Sequence, residues 1–254
     1  MKKFNYALLR TPSQSAKNYI LEGEISLSQI IGEHETLMHF LKNVPIRVHN
    51  VPSAANDVIL SRINQLCLAT SKCVVFSNFE ENMLNNQRIQ LVAHFSRFYP
   101  LDRIHAIDFP GTFSARDALV VDNTVFVSIS QETNEDGAKQ LAEILGKYNF
   151  EVVIIRDSQD SLQNYLNYIE GNNLLVKEGY EIPTEFNEFN QIVLPNDEIS
   201  GIGAIWINDF IILPNNCFSL KEALIGLEKY RILSMSTEEL NKLSISLKEF
   251  VILF

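Results

Sequence analysis

The sequence predicts a mixed α/β chain, a five-fold pseudo-symmetric α/β propeller of ββαβ units. Three observations carry that expectation. Four times, two short apolar runs flank a tight polar turn: residues 67–70 and 73–77, 118–121 and 124–129, 165–169 and 173–176, 204–207 and 210–213. The turns are Ser71-Lys72, Asp122-Asn123, Glu170-Gly171-Asn172 and Asn208-Asp209. Their residues tolerate the positive φ or Asx geometry that β-hairpin loops need. A helix-period segment follows three hairpins and a further apolar run follows all four, so one supersecondary unit recurs at roughly 40–50 residues. Finally, the first and last apolar runs, 6–10 and 245–253, have no hairpin partner of their own. Paired with each other, they complete a fifth unit around a shared core.

The elements follow in order. Residues 6–10 read as a strand stopped by Pro12. Residues 26–42 have helical spacing, with Ile30, Leu37, Phe40 and Leu41 on one face and Ser26 as cap. Residues 46–51 are a strand between Pro45 and Pro52. Residues 82–98 read as a helix with Ile89, Val92, Ala93 and Phe95 inward, and 103–107 as a strand. Residues 134–148 form the clearest helix. Thr133 or Asn134 caps it, acids fill its first turn, and Leu141, Ile144 and Leu145 make its stripe. Residues 151–155 read as a buried strand. The third unit is irregular: residues 177–190 carry Gly179, Pro183 and many acids, so its helix is short or absent. Residues 219–229 are a helix and 231–235 a strand. Ser236 with Glu239 three residues on has the spacing of a capping box, and 245–253 reads as a final strand. The repeat argues for a single domain over residues 1–254, because each unit needs its neighbours to cover its apolar face.

Composition narrows the function classes. The chain has 254 residues, 46% of them hydrophobic and 20% charged, with net charge −10. That charge disfavours nucleic acid and anionic membrane, both of which need clustered Lys and Arg. Cys67, Cys73 and Cys217 are odd in number and sit in or beside apolar runs, which reads as buried thiols in a reducing, cytoplasmic setting. The opening residues move directly into a strand pattern without a signal peptide, and no apolar stretch reaches the ~18 residues of a membrane helix. Gly201-Ile202-Gly203 lacks the third glycine and the following helix of a dinucleotide loop, no zinc spacing occurs, and no cofactor is expected.

A narrower likeness rests on particular residues. They are Tyr6-Ala7-Leu8-Leu9-Arg10-Thr11-Pro12, His34 in the first helix, Asp117-Ala118-Leu119-Val120 with 125–130, and Thr133-Asn134-Glu135-Asp136-Gly137-Ala138. Together with five ββαβ units they resemble the dimethylarginine dimethylaminohydrolase family of the pentein fold, grouped with arginine deiminases and amidinotransferases. The resemblance runs end to end, best over residues 117–155 and poorest over 50–110. It implies covalent amidine hydrolysis. A Cys thiolate attacks the guanidinium carbon, a His serves as acid and base, and carboxylates hold the cation.

Most of that machinery is replaced. The family's tail Lys-Leu-Asp-Gly-Gly-Leu-Thr-Cys aligns with Lys242-Leu243-Ser244-Ile245-Ser246-Leu247-Lys248-Glu249, so Glu249 stands at the nucleophile position and Cys217 is the last cysteine. The family's His position falls at Ser161, or alternatively at Gln163, and no His follows His105. Gly-Gly-Asp becomes Ala115-Arg116-Asp117. The family's Arg clamp for a substrate carboxylate becomes Glu132, and a guanidinium-binding acid pair becomes Arg62-Ile63. By the resemblance, catalytic positions are occupied by Asp117, Ser161 and Glu249, and binding positions by Asp117, Arg116, Glu132 and Glu249.

Each residue has a plainer alternative. Asp117 either holds a cation or is a hairpin-edge residue bonding backbone. Glu249, read in a strand, either faces the pocket or is buried in an ion pair with Arg116. The five histidines form no cluster in sequence and read as surface or satisfied side chains, and Phe186–Phe189 and Trp206 read as packing. Ser128 and Ser130 lack a nearby base, so no serine nucleophile is expected. The sequence therefore predicts a non-catalytic relative with a binding or interaction role, its partner a cationic small molecule or an unknown protein. The alternative is a hydrolase of a guanidino or amidino compound such as dimethylarginine or arginine.

Overall fold

The computed structural model describes residues 3–13, 25–52, 62–79, 82–156 and 160–254, with side chains of residues 82–87 left out. Its elements are strand β1 (Tyr6–Arg10), helix α1 (Leu27–Asn43), β2 (Arg47–Val51), β3 (Cys67–Ala69), β4 (Val74–Phe76), α2 (Asn82–Phe95) and β5 (Ile104–Ala106). There follow β6 (Ala118–Val121), β7 (Thr124–Ser128), α3 (Glu135–Gly146), β8 (Glu151–Ile155), β9 (Leu166–Ile169), β10 (Asn173–Lys177) and β11 (Asn190–Leu194). The chain ends with β12 (Ile205–Ile207), β13 (Phe210–Pro214), α4 (Phe218–Gly226), β14 (Arg231–Met235), α5 (Glu238–Lys242) and β15 (Val251–Leu253).

The strands form five sheets of three: β15-β1-β2, β3-β4-β5, β6-β7-β8, β11-β10-β9 and β12-β13-β14. All four hairpins form, and their turns bend where the sequence placed the permissive residues. Asp122, Asn172 and Asn208 have φ of 53°, 65° and 56°, and Gly171 has 81°. In three sheets the hairpin is antiparallel and its second strand pairs in parallel with the next strand across a helix. The chain ends repeat that pattern: β15 runs antiparallel to β1 with Ala7 opposite Leu253, and β1 runs parallel to β2. A right-twisted strand returning in parallel needs such a crossover, and α1, α2, α3 and α4 supply it.

The chain divides into two compact units: Met1–Ile63 with Leu194–Phe254, and Asn64–Val193. The first has its own core, in which Leu9, Leu37 and Leu41 pack with Ile212, Leu240 and Phe250. Within it two carboxylates staple α1 to α5. Glu33 accepts from the backbone N–H of Glu239 (3.2 Å) and Leu240 (3.1 Å), and Glu239 accepts from the N–H of Ser26 (2.6 Å). The second unit buries Phe113, Val125, Val127, Leu141 and Leu145. There Asn134 caps α3, its Oδ1 accepting from Gly137 N (2.8 Å) and Thr112 N (3.0 Å). The first turn of α3 lies so close to Thr112 that a Cβ on Gly137 would stand 1.8 Å from the Thr112 carbonyl oxygen.

Several expectations need correction. Residues 245–253 are not one strand: Leu247–Phe250 is a 3₁₀ turn and only Val251–Leu253 pairs. The capping box belongs to Ser246 and Glu249. The Ser236–Glu239 spacing forms none, because Glu239 is drawn to Ser26 and Lys242. On α2 the inward residues are Leu91 and Phe95, whereas Ile89 is 72% exposed and Ala93 is exposed. The face was misjudged because apolar residues occur on both sides of this helix. Strand β8 is an edge, half-buried rather than buried. In the third unit Thr184–Phe186 is a 3₁₀ turn, as the proline and acids there imply. Trp206 and the Phe186–Phe189 run are packing residues: Trp206 meets Phe4 edge-on at 5.3 Å, and Phe186 meets Phe126 at 4.6 Å.

Two outcomes follow. Deleting residues 244–254 strips β1 of its antiparallel neighbour, so circular dichroism melting should lose its cooperative transition. A truncated chain with an unchanged Tm would refute this role of β15. Gly137→Ala forces α3 away from Thr112 and should cost about 3 kcal/mol in denaturant unfolding, since overpacking against fixed backbone cannot relax.

Candidate functional site

The unit Asn64–Val193 brings four of the expected residues together. A 3₁₀ turn, Ala115–Asp117, leads into β6 and carries Arg116 and Asp117 side by side. The loop from β7 to the Asn134 cap carries Ser130, Glu132 and Thr133. Asp117 is fully buried. Its partners are hydroxyls, not backbone as the hairpin-edge reading had it. Ser130 Oγ donates to Oδ2 at 2.7 Å, and Thr133 Oγ1 donates to the same oxygen. Ser130 Oγ in turn accepts from Glu132 N (3.0 Å) and Thr133 N (3.2 Å), which fixes the loop under the carboxyl. Burial pushes the Asp117 carboxyl up, and the nearby Glu132 charge adds to that, against the opposing pull of the Thr133, Ser161 and Ser130 hydroxyls.

Ser161, buried at the start of another 3₁₀ turn, sets its hydroxyl beside Asp117. Gln163 is a brace: its Nε2 donates to the carbonyls of Ala115 (3.1 Å) and Ala118 (2.8 Å). Of Ser161 and Gln163, the two positions the resemblance offered for a histidine, Ser161 lies beside Asp117. Arg116 Nη2 donates to Asn164 Oδ1 at 2.6 Å. Asp160 organises the same edge, accepting from Ser161 N (2.7 Å), Asn164 Nδ2 (3.1 Å) and the Tyr165 hydroxyl (3.0 Å). Burial would raise the Asp160 carboxyl, but these bonds and the Arg116 charge outweigh it and hold the group below its usual range. Arg116, Ser130, Glu132, Asp160, Ser161 and Tyr165 line an open cavity of about 490 Å³. One buried carboxylate oxygen, Glu132 Oε2, has no hydrogen-bond partner among the described residues.

Glu249 lies in the unit formed by the two chain ends. It is 5% exposed and closes the capping box, with Oε1 accepting from Ser246 N (2.9 Å) and Ser246 Oγ (3.1 Å). Its other oxygen takes the Arg62 fork, Nε and Nη2 together. Arg62 is an ion-pair partner of Glu249 that the sequence reading did not offer. The reason is local: the chain turns helical at Leu247, so strand alternation does not set where Glu249 points. Near it, His34 is buried and edge-on to Phe250 at 5.8 Å, not a surface residue. Burial lowers its pKa to about 4, with a smaller opposing effect from the Arg10 backbone.

Ser130, Thr133, Asp160 and Tyr165 were not singled out as site residues by the sequence. Their hydroxyls and carboxyl lie in ordinary loop stretches, and no spacing signals them. The Ser246-x-x-Glu249 capping box was a legible signal that strand periodicity masked. All three cysteines are buried and in no disulfide, and burial pushes the Cys73 and Cys217 thiols up. Among the described residues no group of three or more His, Cys, Asp or Glu could hold a metal ion, and no helix is long and apolar enough to cross a membrane.

Five three-stranded sheets with helices on the crossovers define a protein of the pentein class. No family model matches the chain. It is 25% identical over 244 residues to N(G),N(G)-dimethylarginine dimethylaminohydrolase of Pseudomonas aeruginosa, covering 94% of this chain and 95% of that one. A cysteine-to-serine variant of the Pseudomonas aeruginosa enzyme, solved with citrulline, superposes with a TM-score of 0.89 at 24% identity, covering 99% of each chain. An amidinotransferase of the saxitoxin biosynthetic pathway from Microseira wollei superposes at 0.76 with 13% identity, covering 99% of this chain and 94% of that one. Within the pentein class, the chain resembles the dimethylarginine dimethylaminohydrolase and amidinotransferase family from end to end.

Two measurements probe this chemistry. Arg62→Ala leaves the buried Glu249 unpaired and should destabilise the fold by about 3 kcal/mol, whereas Arg62→Met with Glu249→Gln should recover most of that loss. His34 is kept neutral by the fold while its unfolded pKa is near 6.5, so stability is full above about pH 6.5 and falls as pH drops towards 4. The shift corresponds to roughly 3 kcal/mol at the acid end. His34→Leu should flatten the stability profile between those limits, and an unchanged slope would place the titration elsewhere.

Proposed function

We propose that this dimethylargininase-like protein binds a small cation and lacks amidinohydrolase activity. The observation that carries the reading is the Arg62 fork on Glu249, at the position the resemblance gives to the nucleophile. Amidine hydrolysis through a covalent intermediate needs a thiolate to attack the guanidinium carbon and an acid to protonate the departing amine. A carboxylate tied by Arg62 and Ser246 is a far poorer nucleophile at that carbon. The three cysteines are buried, two with raised thiol pKa, and no histidine follows His105.

Binding is supported by the open cavity. Glu132 and Asp160 outnumber Arg116 on its walls, and Asp117 is hydrogen-bonded to Ser130 of that wall. Glu132 Oε2 is out of solvent with no partner among the described residues, which favours an ammonium or guanidinium by Coulomb attraction in a partly desolvated site. The proposed site is Arg116, Asp117, Glu132 and Ser161, with Glu249 structural. Three buried thiols in no disulfide suit the reducing cytoplasm. The second reading, a hydrolase of dimethylarginine or arginine, is favoured by the end-to-end resemblance to a relative that bears that name.

One assay separates them. The purified protein should form no citrulline from dimethylarginine or arginine above a buffer blank, and Glu249→Cys should stay inactive because the missing groups act as a unit. Citrulline production by the wild type would falsify the non-catalytic reading. Calorimetry should show agmatine binding that Glu132→Gln abolishes. Absent binding in both proteins leaves a protein partner as the surviving role.

A further inference from the structure

We propose that the outer face of α4 joins two copies of this chain in a weak two-fold dimer. α4 is apolar on both sides, a pattern that suits a helix covered on both. Leu220 and Leu224 are fully buried on its inner side. Phe218, 69% exposed, and Ile225, 57% exposed, stand on the opposite side. With Lys221 and Glu222, both exposed, they form one stripe at i, i+3, i+4 and i+7, within roughly 100° of arc. Leu227 extends the apolar surface just past the end of the helix.

The helix that carries the stripe is fixed in place. Glu198 caps it: Oε1 accepts from Ser219 N (2.9 Å) and Ser219 Oγ (3.0 Å), and Oε2 accepts from Leu220 N (3.2 Å). Beside Ile225, Gly226 has no side chain, and a Cβ built there would meet no other part of the fold within 4 Å. That end of the stripe is open to an incoming side chain.

The order of the stripe selects a second copy of this chain as its occupant. Two antiparallel copies of α4, related by a two-fold axis between residues 221 and 222, set Phe218 against Ile225 of the second copy. The same axis sets Lys221 against Glu222 of the second copy. Each contact then occurs twice, as an isologous interface requires. Parallel copies in register would set Lys221 beside Lys221 and Glu222 beside Glu222, so the charges select the antiparallel arrangement. The net charge of −10 opposes self-association, whereas this stripe is neutral. One helix face covers less than the roughly 800 Å² per partner of a standard interface, so the dimer is a weak one, formed at micromolar or higher concentration.

Sedimentation equilibrium over a range of protein concentrations tests this, with melting curves to confirm that each variant is folded. The wild type should pass from monomer to dimer as concentration rises. Lys221→Glu and Glu222→Lys should each weaken the dimer roughly tenfold, since each puts like charges together at two symmetric places. The double variant Lys221→Glu/Glu222→Lys should recover wild-type association, because the exchange restores both pairs. Ile225→Asp should leave only monomer. A wild type that stays monomeric up to about millimolar concentration overturns the proposal. Dimerisation unchanged in Lys221→Glu and Ile225→Asp puts the contact on another face and overturns it equally. A double variant as weak as the single ones overturns the two-fold pairing.

Discussion

The pairing of β15 with β1 is the contact on which the terminal unit depends. Three residues at the end of the chain supply the antiparallel neighbour that the hairpins supply elsewhere. A strand of three residues has little stability of its own, so it stays in place only because its surroundings hold it. The holding is done by the preceding turn. Ser246 and Glu249 cap each other, Arg62 forks onto Glu249, and Phe250 fills the core beside His34. The Glu249 carboxylate thus holds the terminal turn, its charge matched by a guanidinium.

The unit Asn64–Val193 treats its buried charge differently. Asp117 is stabilised by hydroxyls, which are weaker partners than a guanidinium, and burial raises its pKa. Glu132 keeps an oxygen without a partner among the described residues. Desolvated acceptors left unmatched are costly to a fold, and a site that binds a cation recovers that cost when occupied. Arg116 donates to Asn164, which Asp160 also holds. One unit has a carboxylate paired with a guanidinium and the other holds Asp117 by hydroxyls alongside Glu132, and that contrast is the ground of the proposed cation binding.

The repeating fold was legible in the sequence because hairpin turns leave local signals. Asp122, Asn172 and Asn208 take positive φ where Asn and Asp stood between apolar runs, and three helices appeared within a few residues of their apolar stripes. The errors came where local signals conflicted. Apolar residues on two sides of α2 hid its true face, and alternation over residues 245–253 hid a capping box. Of the candidate site, Asp117, Arg116, Glu132, Ser161 and Glu249 were reached through resemblance, while Ser130, Thr133, Asp160 and Tyr165 were not. A hydroxyl in a loop carries no periodicity, so its role is set only by what folds next to it.

By itself the sequence determined the ββαβ repeat, the pairing of the two terminal strands and the absence of cysteine after Cys217 and of histidine after His105, because turn chemistry, apolar period and residue identity are local properties. Only the tertiary structure decided the partners of the charged groups. Arg62 lies 187 positions before Glu249 in the chain and Arg116 lies 48 before Asn164. Pairing over such separations is chosen by the folded backbone, through distance and desolvation that no local pattern records.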